Sequence, residues 1–194
     1  MILQYRNFSF FLVVFYLLKV MKFIMFVVLN WVFAIPIFAN PKILQKGDKV
    51  PDFSMLLDNG KTTNFYSFLN KGNTIVLYFY PKDGTSGCTA QAINIKNNLD
   101  KLIQKNVVVF GISTDDLLSH QNFKKEHNLN FFLVSDYDKS ISKLFNVLSF
   151  FGVSQRITFI IDSSGIIQDI IKDVKVNQHT EQILSILENK NKSL

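Results

Sequence analysis

Cysteine and arginine are both rare in this sequence. Among its 194 residues there is one cysteine, Cys88, and there are two arginines, Arg6 and Arg156. A single cysteine excludes an internal disulfide framework and a structural zinc site built on several cysteines. It also excludes any activity that needs two thiols within one chain.

A concentrated basic region is also missing, although the net charge is +6. Residues 1–39 contain three cations, Arg6, Lys19 and Lys22, and no acidic residue, which leaves 18 basic and 15 acidic residues for the rest. Those charges are interleaved and form no basic stripe with aromatic residues, so the pattern excludes nucleic-acid binding. With 48% hydrophobic residues, the chain is also far from the composition of a disordered protein.

Two long hydrophobic runs are present, and both lie in the first forty residues. Residues 8–18 and 23–38 are almost entirely apolar, and neither run reaches the ~20 residues of a comfortable membrane span. The second run resembles a signal peptide, in which Lys22 provides the positive start, residues 23–34 the apolar segment and residues 37–39 the cleavage site. Met21 is then a candidate for the true start of translation.

An uncleaved membrane anchor is the alternative interpretation of residues 1–40. A single helix through both runs would bury Lys19 and Lys22 at ~2.5–3.5 kcal/mol each, which argues against it. An anchor formed by the second run alone stays open. In both cases we expect the remaining domain, residues 41–194, on the non-cytoplasmic side of a membrane.

Residues 41–194 show the alternation of strand and helix patterns that is typical of an α/β domain. Apolar, β-branched runs predict strands at residues 74–80, 107–112, 131–134, 158–161 and 166–171. Apolar periodicity predicts helices at residues 88–102, 119–127, 140–145 and 180–187, the last with Thr180 as its N-cap. The two strands before the last helix favour an antiparallel edge, so we expect a central mixed sheet flanked by helices.

Cys88 lies where the first of these helices begins, just after the buried strand at residues 74–80. The free N–H groups and the dipole at a helix N-terminus favour negative charge, so a thiol there ionises more readily. Gly84 and Gly87 allow the loop backbone to approach closely, and Thr85 places a hydroxyl three residues before the thiol. The alternative is that Cys88 is a small buried hydrophobic residue, as most lone cysteines are.

Arg156 is the one arginine outside the first forty residues, in a chain that otherwise uses 19 lysines for positive charge. It lies just before the strand predicted at residues 158–161. Arginine offers a planar, permanently charged fork that suits a thiolate or a polar leaving group. Arg156 is therefore either a functional partner of Cys88 or an ordinary surface arginine.

Three segments resemble the peroxiredoxin family, and within it the bacterioferritin-comigratory-protein (PrxQ) type. Residues 80–91 (YPKDGTSGCTAQ) resemble its active-site signature, residues 47–53 (GDKVPDF) its opening segment and residues 154–162 (SQRITFIID) its second signature. The resemblance covers residues 43–188. It implies a thioredoxin-like fold and a thiol-specific peroxidase that reduces hydrogen peroxide and organic hydroperoxides without a cofactor or metal. With the hydrophobic leader, it implies a place in a bacterial cell envelope, periplasmic or exported.

The resemblance also implies a role for each matching residue. Cys88 is the expected peroxidatic nucleophile, Thr85 the residue that hydrogen-bonds the peroxide and Arg156 the residue that stabilises the thiolate. Supporting roles fall to Pro81, Gly87 and Gln91. Donors held around the sulfur would stabilise the negative charge that develops on the leaving oxygen, and the product is a sulfenic acid.

Two positions depart from the family pattern. Ser86 stands where the family usually has proline, which should leave the loop less rigid. Ile93 stands where many relatives have a resolving cysteine, so this one-cysteine chain cannot form an internal disulfide. We therefore expect recycling by an external thiol, which is a thioredoxin- or glutaredoxin-like protein or a small thiol, and a monomer or a homodimer.

The histidines point to weaker alternatives. His120, His127 and His179 lack the spacing of a metal pair, and none lies in a segment predicted to border the loop at residues 81–88. This argues against a metal site and against a Cys–His hydrolase. A non-catalytic thioredoxin-fold module for binding or assembly in the envelope also stays open.

Two further groups are assigned structural roles. The acidic residues near predicted helix starts are expected to cap helices or lie in turns; they are Asp115, Asp116, Asp136 and Asp138. Phe150 and Phe151 could contact a substrate or a second copy, but we expect burial because of their size.

Overall fold

The chain divides into two units, residues 1–42 and residues 43–194. The structure, a computed structural model, describes residues 16–26, 43–69 and 71–191. The described part of the first unit is helix α1, residues 16–26. No helix among these described ranges is both long and apolar enough to cross a membrane.

The predicted leader extends beyond helix α1. Most of its apolar segment at residues 23–34 and its whole cleavage site at residues 37–39 lie outside the described residues. The signal peptide and the membrane anchor therefore both stay predictions.

The second unit is an α/β fold whose described residues include a mixed sheet of seven strands. The strands are β1 (Ser54–Leu57), β2 (Thr62–Asn64), β3 (Thr74–Phe79), β4 (Val107–Ser113), β5 (Phe132–Ser135), β6 (Ile157–Ile161) and β7 (Ile167–Ile171). Their order across the sheet is β2-β1-β5-β4-β3-β6-β7. β4 is parallel to both β3 and β5, and the other pairs are antiparallel. The predicted mixed sheet with an antiparallel edge is confirmed.

Helices lie against this sheet. They are α2 (Tyr66–Leu69), α3 (Ser86–Asn97), α4 (Leu99–Ile103), α5 (Leu117–His127), α6 (Ser140–Leu144) and α7 (His179–Asn191), the last preceded by a 3-10 helix, Val176–Gln178. Each of the five predicted strands is found with its ends within one residue of the prediction. The predicted helices are also present; α6 matches within one residue, whereas α5 begins two residues earlier and α7 ends four residues later than predicted.

The central strand β3 separates two hydrophobic clusters because successive side chains point to opposite faces of a sheet. Ile75, Leu77 and Phe79 are fully buried in one cluster. Val76 and Tyr78 are buried in the other cluster, which also contains Cys88 and the apolar face of α3. Cys88 thus lies on the same face of the sheet as Val76 and Tyr78.

The helix predicted at residues 88–102 begins two residues earlier and is divided in two. α3 ends at Asn97, and α4 begins at Leu99. The apolar face is nevertheless continuous, and all four of its predicted members are buried: Ala92, Ile95, Leu99 and Leu102. The spacing therefore predicted the buried face correctly and missed the break between the helices.

The prediction that Thr180 caps the last helix is wrong. α7 begins at His179, so Thr180 is already its second residue. The Thr180 N–H donates to Asn94 Oδ1 at 2.8 Å, and Thr180 Oγ1 donates to the Asn94 carbonyl at 3.3 Å. The side chain of Asn94, which is distant in sequence, thus accepts a hydrogen bond from a backbone N–H at the start of α7.

The prediction that Phe150 and Phe151 are buried is also wrong. They are 99% and 87% exposed, and their rings contact each other with centroids 5.8 Å apart. The Ser149 N–H donates to the Val153 carbonyl at 2.8 Å, and the Gly152 N–H donates to the Ser149 carbonyl at 3.0 Å. This tight backbone turn directs both rings toward solvent.

Candidate active site

The loop between β3 and α3 carries the cysteine. α3 begins at Ser86, so Cys88 is its third residue and lies at the helix N-terminus, as predicted. Gly84 has φ +69°, in the left-handed region that favours glycine, which allows the chain to turn into the helix. Ser86 occupies the first helical position, where the proline of the family pattern would also fit.

Strand pairing places Arg156 beside the cysteine. β6 pairs antiparallel with β3, with Ile157 opposite Phe79, so the residue before β6 reaches the end of β3 where the loop begins. Arg156 Nη2 lies 3.3 Å from Cys88 Sγ and donates to it. Arg156 Nη1 donates to Gln91 Oε1. The structure therefore brings together the cysteine, the arginine and the glutamine that the sequence singled out.

The sulfur lies beneath the surface, next to the exposed start of the helix. Cys88 is 2% exposed, whereas Thr85 and Ser86 are exposed. An ideal Cβ at Gly87 would lie 3.4 Å from Arg156 Nη2, so this glycine lies directly against the guanidinium. Among the described residues, the guanidinium supplies the one hydrogen bond found for Sγ.

Thr85 and Pro81 shape the loop. Thr85 occupies the N-cap position of α3 without a side-chain capping bond, and its Oγ1 donates to the Lys82 carbonyl at 3.1 Å. Pro81 is half-buried and follows Tyr80, the first residue after β3. Within the described part of the chain, no hydrogen bond joins Thr85 to Cys88. The role of Thr85 toward a peroxide therefore stays a prediction.

His179 extends the hydrogen bonding behind Gln91. Its ring is fully buried, with Nδ1 3.1 Å from Gln91 Nε2 and Nε2 2.9 Å from Thr158 Oγ1. Burial, with a smaller contribution from the Arg156 charge, lowers the pKa of His179 to about 4. The ring is therefore neutral at neutral pH.

Asp83 and His120 form a buried pair on the other side of the loop. His120 Nδ1 lies 2.9 Å from Asp83 Oδ2, and the two side chains are 0% and 6% exposed. Tyr80 Oη and Ser119 Oγ donate to the same carboxylate at 2.7 and 2.8 Å. Burial alone would raise the pKa of Asp83, but hydrogen bonds from His120, Tyr80 and Ser119 outweigh it, so the pKa lies below its ordinary value.

Asp115 holds the backbone of the same loop. Its Oδ2 accepts from the Asp83 N–H at 2.9 Å and from Ser113 Oγ at 2.7 Å. Asp116, by contrast, caps α5 by accepting from the Ser119 N–H at 2.8 Å. The capping prediction is confirmed for Asp116, whereas Asp115 ties the cysteine loop to the end of β4.

The expectation that no histidine borders the loop is wrong. His120 contacts Asp83 within the loop, and His179 contacts Gln91 on the helix that follows it. The spacing of lone histidines carries no signal for such contacts, because they arise between elements far apart in sequence. Among the described residues, no group of three or more His, Cys, Asp or Glu side chains could hold a metal ion.

The comparisons with known proteins agree with this geometry. The sequence profile of the AhpC/TSA family matches residues 46–170. Peroxiredoxin Bcp of Escherichia coli is 37% identical over 155 residues, which cover 76% of this chain and 97% of the relative. Peroxiredoxin Bcp of Bacillus subtilis is 34% identical over 152 residues, 74% of this chain and 95% of the relative.

Solved structures give the same result. The crystal structure of a PrxQ mutant from Xylella fastidiosa matches with a TM-score of 0.72 and 28% identity, covering 77% of this chain and 99% of that chain. A bacterioferritin comigratory protein from Xanthomonas campestris matches with a TM-score of 0.66 and 28% identity, covering 71% of this chain and 91% of that chain. The fold is therefore thioredoxin-like, as predicted. The chain belongs to the AhpC/TSA family as a peroxiredoxin of the Bcp/PrxQ kind, which makes it a thiol peroxidase.

Proposed function

We propose that the chain reduces hydrogen peroxide and organic hydroperoxides at Cys88 and is recycled by an external thiol. The observation that carries this proposal is the Arg156 guanidinium, 3.3 Å from the one sulfur of the chain that can act as a cysteine nucleophile. The bacterioferritin comigratory protein of Xanthomonas campestris has alkyl peroxide reduction activity, which supports the inclusion of organic hydroperoxides here.

The first step is attack by the Cys88 thiolate on one oxygen of the peroxide. The new S–O bond forms as the O–O bond breaks, so the sulfur is oxidised to a sulfenic acid and the peroxide is reduced. The leaving oxygen carries the electron pair away and takes up a proton, giving water or an alcohol. The helix N-terminus and the Arg156 guanidinium stabilise the negative charge before and during the attack.

The arginine can serve both the sulfur and its own anchor because its nitrogens form a fork. Nη2 faces Cys88 Sγ, while Nη1 donates to Gln91 Oε1. A guanidinium held at one end keeps its other donor in place, which reduces the reorganisation needed during the reaction. Gln91 thus orients the group that meets the peroxide.

Recycling requires a thiol from another molecule. The chain has no second cysteine, and Ile93, at the position of the resolving cysteine in many relatives, is 37% exposed on α3. An external thiol attacks the sulfenic sulfur and releases water, leaving a mixed disulfide. A second external thiol then attacks this disulfide, which restores Cys88 and oxidises the two reductant thiols to a disulfide.

Peroxide consumption by the full chain with a dithiol reductant tests this function. We expect turnover in the wild type and none in Cys88→Ser, which removes the nucleophile with a minimal change in size. Trapping with dimedone after peroxide treatment should label Cys88 alone, as shown by peptide mass mapping. Unlabelled Cys88 together with no peroxide consumption would contradict the proposal and favour the non-catalytic binding module. Equal turnover in Cys88→Ser would contradict the role of Cys88 as the nucleophile.

We also propose that residues 1–40 direct the domain out of the cytoplasm. The support is the apolar run at residues 23–38, the cation Lys22 before it and the small residue Ala39 after it. N-terminal sequencing of the protein from its native cells should give a chain that begins at Asn40. A chain that keeps Met1 or Met21 and is found in the soluble cytoplasmic fraction would contradict this location.

A further inference from the structure

A continuous chain of hydrogen bonds links the last helix to the cysteine. Thr158 Oγ1 lies 2.9 Å from His179 Nε2, and His179 Nδ1 lies 3.1 Å from Gln91 Nε2. Gln91 Oε1 accepts from Arg156 Nη1, and Arg156 Nη2 lies 3.3 Å from Cys88 Sγ. Cys88 and Gln91 belong to α3, Arg156 directly precedes β6, Thr158 lies in β6, and His179 is the first residue of α7.

The direction of each bond in this chain follows from the arginine. A guanidinium only donates, so the Gln91 side chain must turn its carbonyl oxygen toward Arg156. The Gln91 amide NH₂ then faces His179 Nδ1, which must accept and therefore carries no proton. The single proton of the neutral ring is on Nε2, from which it donates to Thr158 Oγ1.

Burial favours the same protonation state. His179 is fully buried, and the positive charge of Arg156 lies on the far side of Gln91. The other titratable ring packed on it is Tyr78, edge-on with centroids 5.8 Å apart, and no carboxylate hydrogen-bonds to the histidine among the described residues. A protonated His179 would therefore add a second positive charge near Arg156 without a carboxylate hydrogen-bonded to it.

The position of His179 is fixed independently of Gln91. Asn94 in α3 accepts from the Thr180 N–H at 2.8 Å and donates through Nδ2 to the Asn177 carbonyl at 2.9 Å. These bonds attach the residues that precede and follow His179 in the sequence to the middle of α3. The histidine is therefore held in place and can orient a flexible amide.

We infer that His179 is a positioning residue for peroxide reduction, because its unprotonated Nδ1 holds Gln91 in the orientation that keeps Arg156 on Cys88. Without an acceptor at Nδ1, the amide can rotate and present its NH₂ group to the guanidinium, which has no acceptor for it. Arg156 then loses the anchor of its fork. This inference rests on the proposed function, since it assigns Arg156 to the attack on the peroxide.

Two polar substitutions of similar size separate the two ring nitrogens. His179→Asn places an amide oxygen near the position of Nδ1 and so keeps the acceptor for Gln91, while it loses the contact to Thr158. His179→Gln reaches the position of Nε2 and keeps Thr158, while it leaves Gln91 without an acceptor. If His179→Gln does not fold, His179→Leu removes the same acceptor and takes its place.

The measurements are the rate of Cys88 oxidation by hydrogen peroxide and the rate of its alkylation by iodoacetamide, both in the full chain. We expect His179→Asn to keep the peroxide rate within about threefold of the wild type and His179→Gln to lose about tenfold or more. Alkylation, which has no O–O bond for Arg156 to polarise, should change less than the peroxide rate in the same variant.

Three outcomes separate the inference from the function on which it rests. Equal peroxide rates in His179→Asn and His179→Gln would overturn the inference. A parallel fall of peroxide and iodoacetamide rates would also overturn it, because that pattern indicates general damage to the thiol site. A wild-type Cys88 that alkylates but does not react with peroxide would overturn the proposed function itself.

Discussion

His120 and His179 are both fully buried beside the element that carries Cys88, but their partners differ in kind. His120 Nδ1 faces the Asp83 carboxylate and its Nε2 lies 3.1 Å from the Val134 carbonyl, so both nitrogens face acceptors. His179 faces the amide NH₂ of Gln91 with one nitrogen. His120 thus has an acceptor opposite each ring nitrogen, whereas His179 is a neutral ring that accepts from Gln91 with one nitrogen.

The loop and the helix are thus held for different purposes. On the His120 side, the buried Asp83–His120 pair and further donors tie the loop to α5 and β4, so this side should govern stability. On the His179 side, a neutral ring orients a neutral amide beside Arg156, so this side should govern the reaction rate. Because the two sides share no hydrogen bond among the described residues, each can be perturbed separately.

Removal of the carboxylate on the His120 side should have the largest effect. Asp83→Ala leaves His120, Tyr80 and Ser119 without their acceptor, and we expect a loss of about 3–5 kcal/mol in the free energy of unfolding. Urea titration of the full chain measures this. The matched control is Asp169→Ala, whose ion pair with Lys46 is solvent-exposed and should contribute about 0–1 kcal/mol.

A similar loss in the free energy of unfolding in both variants would show that the buried Asp83–His120 pair contributes no more to stability than the Asp169–Lys46 pair. The comparison would also fail if Asp83→Ala kept its stability but lost its peroxide rate. In that case the His120 side would act on the reaction and not on the fold.

Acid should weaken the two sides in different pH ranges. The pKa of His179 is about 4 in the folded chain and about 6.5 ordinarily, so between these values the unfolded chain binds the proton more tightly. Stability should therefore fall as the pH falls from 6.5 to 4, by on the order of 3 kcal/mol. The pKa of Asp83 is lowered from 3.8, so the stability that its carboxylate contributes is lost only below pH 3.8.

Urea titrations across this pH range test the assignment. The pH dependence between 6.5 and 4 should shrink in His179→Leu and remain in His127→Leu, which removes a half-buried histidine whose ring packs on Phe123. An unchanged pH dependence in His179→Leu would assign the proton uptake to other groups.

Arg156→Lys should affect the rate and spare the fold. Lysine keeps the positive charge but has one nitrogen, so it cannot face Cys88 and Gln91 as a fork. We expect the rate of sulfenic acid formation to fall about 10–100-fold with little change in melting temperature. Arg6→Lys, the same substitution outside the second unit, is the control and should leave the rate unchanged. A stable variant with a wild-type rate would remove the fork from the mechanism.

The smallest effect is expected at Tyr78, on the same face of the sheet as Cys88. Its hydroxyl is buried and has no hydrogen-bond partner among the described residues, and burial raises its pKa. Tyr78→Phe should therefore keep or raise stability, by up to about 1 kcal/mol. Tyr80→Phe is the matched contrast, because it removes a bond of 2.7 Å to Asp83 and should lower stability by about 1–3 kcal/mol. A greater loss in Tyr78→Phe would indicate a partner for its hydroxyl.

Sequence patterns predicted the elements of the fold well where apolar residues are continuous or regularly spaced. The continuous apolar run of β3 is buried on both faces of the sheet, and the spacing from Ala92 to Leu102 corresponds to a buried helix face. The break between α3 and α4 was missed because the apolar face continues through it. The exposure of Phe150 and Phe151 was missed because the size of a side chain does not show whether any element lies within its reach.

Motif spacing alone placed Cys88 at a helix start, because Cys88, its glycines and the strand before it lie within one short stretch of chain. Tertiary structure decided which residues from distant parts of the sequence lie near the sulfur or behind its neighbours. The register of β6 on β3 brought Arg156 to it, and the docking of α7 on α3 brought His179 behind Gln91. The physical reason is that a turn and a helix start depend on neighbouring residues, whereas a hydrogen bond across 65 or 88 residues depends on how whole elements pack.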